Sequence, residues 1–156
     1  MSAEPAHPPL SPSKERLRFW FRAYGAVAAI EREISSRLRA RFGASLARFD
    51  LMAHLYAAPE GLTMGELTKR LLVSGGNVTG VVDRLGKEGL VAREVDAADR
   101  RVYRVALTGA GRELFKQMAE EHEAWVSELL AGLDPQEMAR STALLETLRH
   151  RLAPHP

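Results

Sequence analysis

The 156-residue sequence contains no cysteine, which excludes disulfides, thiolate metal ligands and cysteine nucleophiles. It also lacks any apolar run close to the ~20 residues that a helix needs to span a bilayer. No basic segment followed by an apolar run opens the chain, so we expect no secretory signal, a cytoplasmic location and no membrane partner. Aromatic residues are few (6%), but 46% hydrophobic and 27% charged residues predict a single globular domain rather than disorder.

Sequence signatures of catalysis are also missing. The five histidines form no close helical pair of the kind that binds zinc, and no serine lies in a nucleophile elbow. Gly75-Gly76 lacks the following lysine of a phosphate-binding loop. The run Glu120-Glu121-His122-Glu123 is more typical of a solvated acidic helix face than of a metal site. We therefore predict a protein that is not an enzyme and has no metal or other cofactor.

Charge is distributed unevenly along the chain, although the net charge is only +2. Residues 13–50 carry nine basic and four acidic side chains, whereas residues 109–156 carry five basic and eight acidic ones. The basic surplus in the first two-thirds suits a polyanionic partner. An unevenly charged, solvated surface explains the pattern equally well.

Apolar residues recur every three or four positions through most of the chain, a spacing typical of amphipathic helices. Residues 1–12, which hold half of the prolines, are predicted to be a disordered leader. Thr63 and Glu66 form a capping-box pattern, and Ser74 is a candidate N-cap for the helix after it. Helices are predicted over residues 13–42, 46–57, 63–72 and 75–88, and again after Thr108 and after Asp134.

Between these helices, residues 90–95 and 102–107 alternate like strands and are joined by a polar loop, which predicts a β-hairpin. Two short helices with a tight turn, followed by a charged hairpin, are typical of a winged helix-turn-helix. The predicted fold class is mainly α with a small β-hairpin wing. We expect a DNA-binding domain over residues 46–108, flanked by dimerisation helices over 13–45 and 109–153.

One face of the predicted helix 75–88 is polar and opened by glycines. Val78, Val81, Val82 and Leu85 face the core on a helical wheel, so the opposite face is free to approach DNA. Polar side chains there suit base edges and phosphates, and the first turn offers free N–H groups. The candidate DNA-binding residues of this helix are Ser74, Gly76, Asn77, Thr79, Gly80, Arg84 and Lys87.

The tip of the predicted hairpin holds Asp99-Arg100-Arg101. Alone, such a run is more often a solvated turn. After a recognition helix, however, an arginine is placed to enter an adjacent minor groove. We predict that Arg101 enters the groove, that Arg100 contacts the backbone, and that the Asp99 carboxylate orients the guanidinium.

The whole set of motifs resembles the MarR family of bacterial transcription regulators. The matching runs are Leu62-Thr63-Met64-Gly65-Glu66-Leu67, Asn77-Val78-Thr79, Val82-Asp83-Arg84-Leu85, Glu88-Gly89-Leu90-Val91, Asp99-Arg100-Arg101 and Leu107-Thr108. Family wings commonly read Asp-Pro-Arg-Asp-x-Arg, whereas Ala97 and Ala98 stand here after Asp96. The resemblance implies a homodimer that reads a pseudo-palindromic operator in double-stranded DNA, usually as a repressor.

The long helices at both ends of the chain favour the same homodimer, because they are apolar-striped and have little else to pack on. A two-fold dimer places its recognition helices about 34 Å apart. Spacing alone leaves open which apolar side chains belong to the core and which to the interface. The candidates for either role are Trp20, Ile34, Leu38, Leu144, Leu145 and Leu148.

Members of the resembled family commonly release DNA when a small phenolic or carboxylate ligand binds. The runs 46–50 and 75–80 are most similar to regulators of aromatic-acid breakdown, some of which respond to aromatic acyl-CoA thioesters. On that basis Trp20, Tyr24 and His54 are candidates for an aromatic pocket, and Arg16, Arg18 or Arg22 for pairing with a carboxylate or phosphate. Plain helix packing explains the two aromatic residues at least as well.

A dimeric winged-helix module that binds protein partners and no specific DNA is the alternative function. Such a module has no need of basic wing-tip arginines or of a polar, glycine-opened helix face. We therefore favour a DNA-binding transcriptional regulator.

Overall fold

A computed structural model describes residues 11–71, 77–96, 99 and 101–152, and in these ranges it is helical apart from one small sheet. The helices are α1 (Pro12–Phe42), α2 (Leu46–Tyr56), α3 (Met64–Arg70), α4 (Val78–Lys87), α5 (Gly109–Leu130) and α6 (Pro135–Leu152). The strands are β1 (Leu62–Thr63), β2 (Val91–Val95) and β3 (Tyr103–Leu107). This order confirms the predicted mainly α fold with a β wing.

The 31-residue helix α1 packs on the rest of the chain through its C-terminal half only. Pro12 occupies the first turn, so the helix begins one residue earlier than predicted, inside the expected leader. Gly43 ends it in the left-handed conformation, with φ of 61°. Ile34 and Leu38 are buried, whereas Trp20 and Tyr24 are more than half exposed. Of the candidates for core or interface, Ile34 and Leu38 therefore belong to the core.

The sheet has three antiparallel strands in the order β1-β3-β2, one more strand than predicted. The extra strand, β1, is only two residues long: Leu62 pairs with Val105 and Thr63 with Arg104. On the other side of β3, the wing hairpin runs in register from Val91 opposite Leu107 to Val95 opposite Tyr103. The wing is thereby joined at its base to the segment that leads into α3.

The hydrophobic core lies where helices α1 to α5 meet the inner face of the sheet. Its fully buried large side chains are Leu38, Leu51, Met52, Leu55, Leu62, Leu67, Leu85, Met118, Val82 and Val105. Phe115 of α5 packs against Phe49 and Tyr56 of α2, with ring centroids 5.5 and 4.9 Å apart. This core fixes the helix-turn-helix against the N-terminal half of α5.

Helix α6 has no buried residue, although it carries an apolar stripe. Leu144 and Leu145 are about half exposed and Leu152 is 82% exposed. In the described part of the chain, no helix combines the length and apolarity required to cross a membrane.

Candidate nucleic-acid interface

Helix α3 is fixed at its start by the capping box that the sequence predicts. The Thr63 hydroxyl accepts the main-chain N–H of Glu66 at 3.2 Å, and the Glu66 carboxylate accepts that of Thr63 at 2.8 Å. These bonds satisfy two N–H groups that the helix itself leaves unpaired. The bond from the Thr63 main chain, helped by the Thr63 hydroxyl, holds the pKa of Glu66 below its ordinary value.

The recognition helix α4 begins at Val78, three residues later than predicted. Its N-cap is Asn77 and not Ser74: the Asn77 Oδ1 atom accepts the Gly80 N–H at 2.8 Å. The predicted site residues Ser74 and Gly76 lie outside the described residues, as does Arg100 of the wing. The Asn77 Oδ1 atom is therefore engaged in the cap, and the amide NH₂ group is the part of the side chain that remains for a base edge.

Gly80 has a local role in this cap, besides its predicted role in opening the helix surface. A Cβ built on Gly80 would overlap the Asn77 side chain and would displace it from its capping position. The glycine was predicted to allow close approach of the helix backbone to DNA. Its local role is to leave room for the folded-back asparagine.

The rest of α4 divides into two faces as the helical wheel predicts. Val81, Val82 and Leu85 are buried, and Val78 packs partly buried against the core. Thr79, Arg84 and Lys87 are exposed on the opposite side. Asp83, on the same exposed side, is paired with Arg93 of β2. That pair offsets the one acidic charge of this face, so its outer surface is polar and cationic.

A bidentate ion pair joins the C-terminal end of α4 to α2. This contact could not be predicted from the sequence. Two guanidinium nitrogens of Arg48 donate to the two carboxylate oxygens of Glu88 at 2.8 and 2.7 Å. The Arg48 side chain is only 18% exposed. Paired, parallel bonds of this kind fix orientation as well as distance. The recognition helix is thus held at its N-cap and at its C-terminal end.

The wing tip places Asp99 beside Arg101 in the arrangement that the sequence suggests. The Asp99 carboxylate accepts the Arg101 main-chain N–H at 3.0 Å and lies 3.6 Å from the Arg101 Nε atom. The Arg101 side chain is 94% exposed. It therefore projects from the wing with its charge available to a partner.

Arg104 of β3 is the residue of the wing that sequence reasoning missed. The Arg104 guanidinium donates to the Asp96 carboxylate, to the Gly61 carbonyl at 3.1 Å and to the Glu66 carboxylate at 3.4 Å. The bond to Asp96 is the main reason that the pKa of Arg104 is raised. Strand alternation places Arg104 on the sheet face opposite Val105, and this is the signal that the sequence offers for it. Its partners Glu66 and Gly61 lie 38 and 43 residues away in the sequence, so the contacts themselves could not be predicted.

The predicted effector residues do not all come together within one chain. Trp20 and Tyr24 stack on each other at 6.0 Å on the free half of α1. Arg16 and Arg22 are exposed on the same half, whereas His54 is half-buried on α2. A groove of about 650 Å³ follows α1 from Ala28 to Ala40 and ends at Leu46. None of the six predicted residues, Arg18 included, lines it.

A further aromatic contact joins α2 to α5. His122 stacks on Phe49, with ring centroids 4.7 Å apart. Burial lowers the pKa of His122, and burial raises the pKa of the nearby Asp50 carboxyl. His122 is therefore biased towards the neutral imidazole, as expected of a half-buried histidine stacked on an aromatic ring.

Comparison with known proteins agrees with this architecture. A model of the MarR family matches residues 42–102, from the end of α1 into the wing. The HTH-type transcriptional regulator YkoM of Bacillus subtilis, which is uncharacterized, is 31% identical over 130 residues, 83% of this chain and 80% of the relative. The HTH-type transcriptional repressor YetL of the same organism is 28% identical over 112 residues, 71% of this chain and 67% of the relative.

Among solved structures, a MarR family transcriptional regulator from Silicibacter pomeroyi superimposes with a TM-score of 0.79. It is 33% identical, and the alignment covers 92% of this chain and 99% of that one. With such a relative matched over nearly its whole length, the family is established. The chain belongs to the MarR family of winged helix-turn-helix, DNA-binding transcriptional regulators.

Proposed function

We propose that the protein is a homodimeric repressor that binds a pseudo-palindromic operator and leaves it when a small aromatic acid or aromatic acyl-CoA binds. The observation that carries the DNA contact is the pairing of two cationic features on one module. Arg84 and Lys87 lie on the free face of α4, and Arg101 projects 94% exposed from the wing. A helix of this kind suits the major groove, and a wing arginine suits the minor groove beside it.

Within this proposal, the exposed residues of α4 and its N-cap contact different parts of the DNA. The Asn77 amide and the Thr79 hydroxyl can reach base edges, whereas Arg84 and Lys87 suit phosphates or guanine. Asp99 orients Arg101 through the contacts described above. Ser74, Gly76 and Arg100 stay in the proposed site on their positions in the sequence alone.

The homodimer is supported by the apolar surface that one chain leaves uncovered. Trp20 and Tyr24 on α1, and Leu144 and Leu145 on α6, are each 47–63% exposed. Helices with an unburied apolar stripe gain most of their stability from a partner. A second copy that covers both helices would set two α4 helices one DNA turn apart. Light scattering at micromolar concentration should give twice the chain mass of 17.2 kDa.

Repression is proposed by analogy with the relative YetL, which is described as a repressor. The aromatic effector is proposed because Trp20 and Tyr24 form a stacked, exposed aromatic pair with Arg16 and Arg22 on the same helix half. Aromatic rings next to guanidinium groups suit an aromatic carboxylate or the phosphates of a CoA ester. His54 would have to be brought to this group from the second chain of the dimer.

The proposed function is tested by fluorescence anisotropy with the DNA upstream of the protein's own gene and with a scrambled duplex of equal composition. We expect tight binding to the first duplex only, with an affinity that falls steeply between two salt concentrations. Benzoate, a hydroxybenzoate and benzoyl-CoA, added in turn, should release the DNA if an aromatic effector is used. Equal, weak binding to both duplexes, followed by failure to select any sequence from a random library, would favour the protein-binding alternative.

A further inference from the structure

Arg104 lies in the middle of the small sheet, between the two strands that flank β3. It pairs across the sheet with Thr63 of β1 and with Glu94 of β2. Its side chain is 32% exposed, and it donates to one acceptor in the loop before β1, one in α3 and one at the end of β2. A single guanidinium therefore joins three separate segments of the winged module.

The acceptors of Arg104 continue into a chain of hydrogen bonds. On one side, the Glu66 carboxylate also closes the capping box of α3 with Thr63. On the other side, Asp96 accepts the main-chain N–H of Asp99 at 3.1 Å. Asp99 in turn accepts the main-chain N–H of Arg101 at 3.0 Å. The start of α3 is thus connected to the wing-tip arginine through carboxylates that alternate with N–H donors.

These hydrogen bonds matter for binding because the Arg101 side chain is 94% exposed, so packing does little to fix its position. A tip that is ordered before it meets DNA loses less conformational entropy on binding than a tip that must be ordered there. Arg104 is suited to this task because its planar fork can hold several acceptors at once, which a lysine ammonium does less well.

We propose that Arg104 is a positioning residue for DNA binding: it anchors the base of the wing to the start of α3 and thereby pre-orders Arg101. This inference rests on the proposed function, since it assumes that Arg101 contacts operator DNA. It adds a residue that itself touches no DNA.

A double-mutant cycle tests the inference with the full-length protein. Arg104→Met, Arg101→Ala and the double variant are titrated against the operator by fluorescence anisotropy. We expect Arg104→Met to weaken binding about tenfold. The double variant should bind no worse than Arg101→Ala alone, because Arg104 has no effect on binding once the Arg101 side chain is removed. If the two losses multiply instead, Arg104 does not act through Arg101 and the inference is overturned. If the wild-type protein does not discriminate the operator from a scrambled duplex, the proposed function fails first.

Two further variants separate positioning from a loss of folded protein. Arg104→Lys keeps the charge, and we expect it to recover only part of the affinity. Arg112→Met is the matched control, since the Arg112 guanidinium lies over the Tyr56 ring of α2, 5.1 Å from its centroid, and takes no part in the contacts of Arg104; it should bind like wild type. Independently of DNA, the Arg101 amide should exchange its hydrogen faster in the Arg104→Met protein while α5 amides are unchanged. Unchanged exchange at Arg101 would also overturn the inference.

Discussion

Replacing Gly111 by alanine should destabilise the protein at the joint between the wing and α5. Gly111 is buried in the first turn of α5, where its N–H donates to the Thr108 hydroxyl at 3.1 Å. A Cβ at this position would overlap the carbonyl oxygen of Leu90 and lie 3.2 Å from a methyl carbon of Leu107. The Leu90 carbonyl is itself held by the Thr108 N–H at 3.0 Å. The nearest obstacle to the methyl group is therefore fixed backbone, and a flexible side chain is only its third neighbour.

The size of the effect follows from two opposing contributions. Overpacking a well-packed site costs about 1–3 kcal/mol, and a backbone neighbour places this site at the upper end. Alanine is a better helix former than glycine by up to about 1 kcal/mol, which offsets part of the cost. The net loss should be about 2 kcal/mol in the free energy of unfolding. For a domain of this size that corresponds to a fall in Tm of roughly 4–8 °C.

Gly109 provides the matched control because it lies in the same helical turn. A Cβ there meets no other atom of the described chain within 4 Å, apart from its immediate surroundings in the helix. Gly109→Ala should leave stability unchanged or raise it by a few tenths of a kcal/mol. Urea unfolding of both variants is compared at one protein concentration, because dimerisation makes stability concentration-dependent. A Gly111→Ala protein as stable as the Gly109→Ala protein would refute the steric argument.

Three further outcomes are expected. Thr63→Ala should lower the free energy of unfolding by about 1 kcal/mol through loss of the cap, whereas Thr63→Ser should change it little, as urea titration will determine. Asn77→Ser keeps a capping oxygen but loses the amide NH₂, so it should narrow the affinity gap between operator and scrambled DNA with little change in Tm; an unaltered gap would remove Asn77 from base reading. Because the pKa of His122 is lowered by burial, the folded protein binds this proton less well than the unfolded chain. Stability should therefore fall as pH drops below about 6.5. In His122→Phe, urea midpoints at pH 7.5 and 5.5 should differ less than in wild type.

The parts of the fold that could be predicted from the sequence are those specified by short-range signals. Thr63 with Glu66 and Thr108 before α5 act within three residues of themselves, and both caps form as expected. Strand β1 could not be found in this way because it is two residues long and owes its existence to β3, about forty residues later. The contacts of Arg104 and the Arg48–Glu88 pair escaped prediction for the same reason.

The start of the recognition helix shows two local signals in competition. Ser74 and Asn77 are both good N-caps, and the glycines between them carry no preference for the helix. The structure selects Asn77, which can fold back on the Gly80 N–H because residue 80 has no Cβ to obstruct it. Gly80, which is also a predicted DNA-binding residue, thus leaves room for the cap at which the helix begins. The same asparagine remains in the proposed interface, but with its oxygen already engaged.

Periodicity cannot distinguish apolar side chains that pack within a chain from those that pack between chains. Along α1, Trp20, Tyr24, Ile34 and Leu38 follow one spacing, yet the first two are at least 60% exposed and the last two at most 3%. Helix α6 is the limiting case, because its 18 residues bury nothing within the chain. Most of the stability of a helix in a protein comes from packing of its amphipathic face. We expect α6 to be stabilised by a surface outside the single chain, and the free half of α1 on a second copy offers one that is apolar, aromatic and equally uncovered.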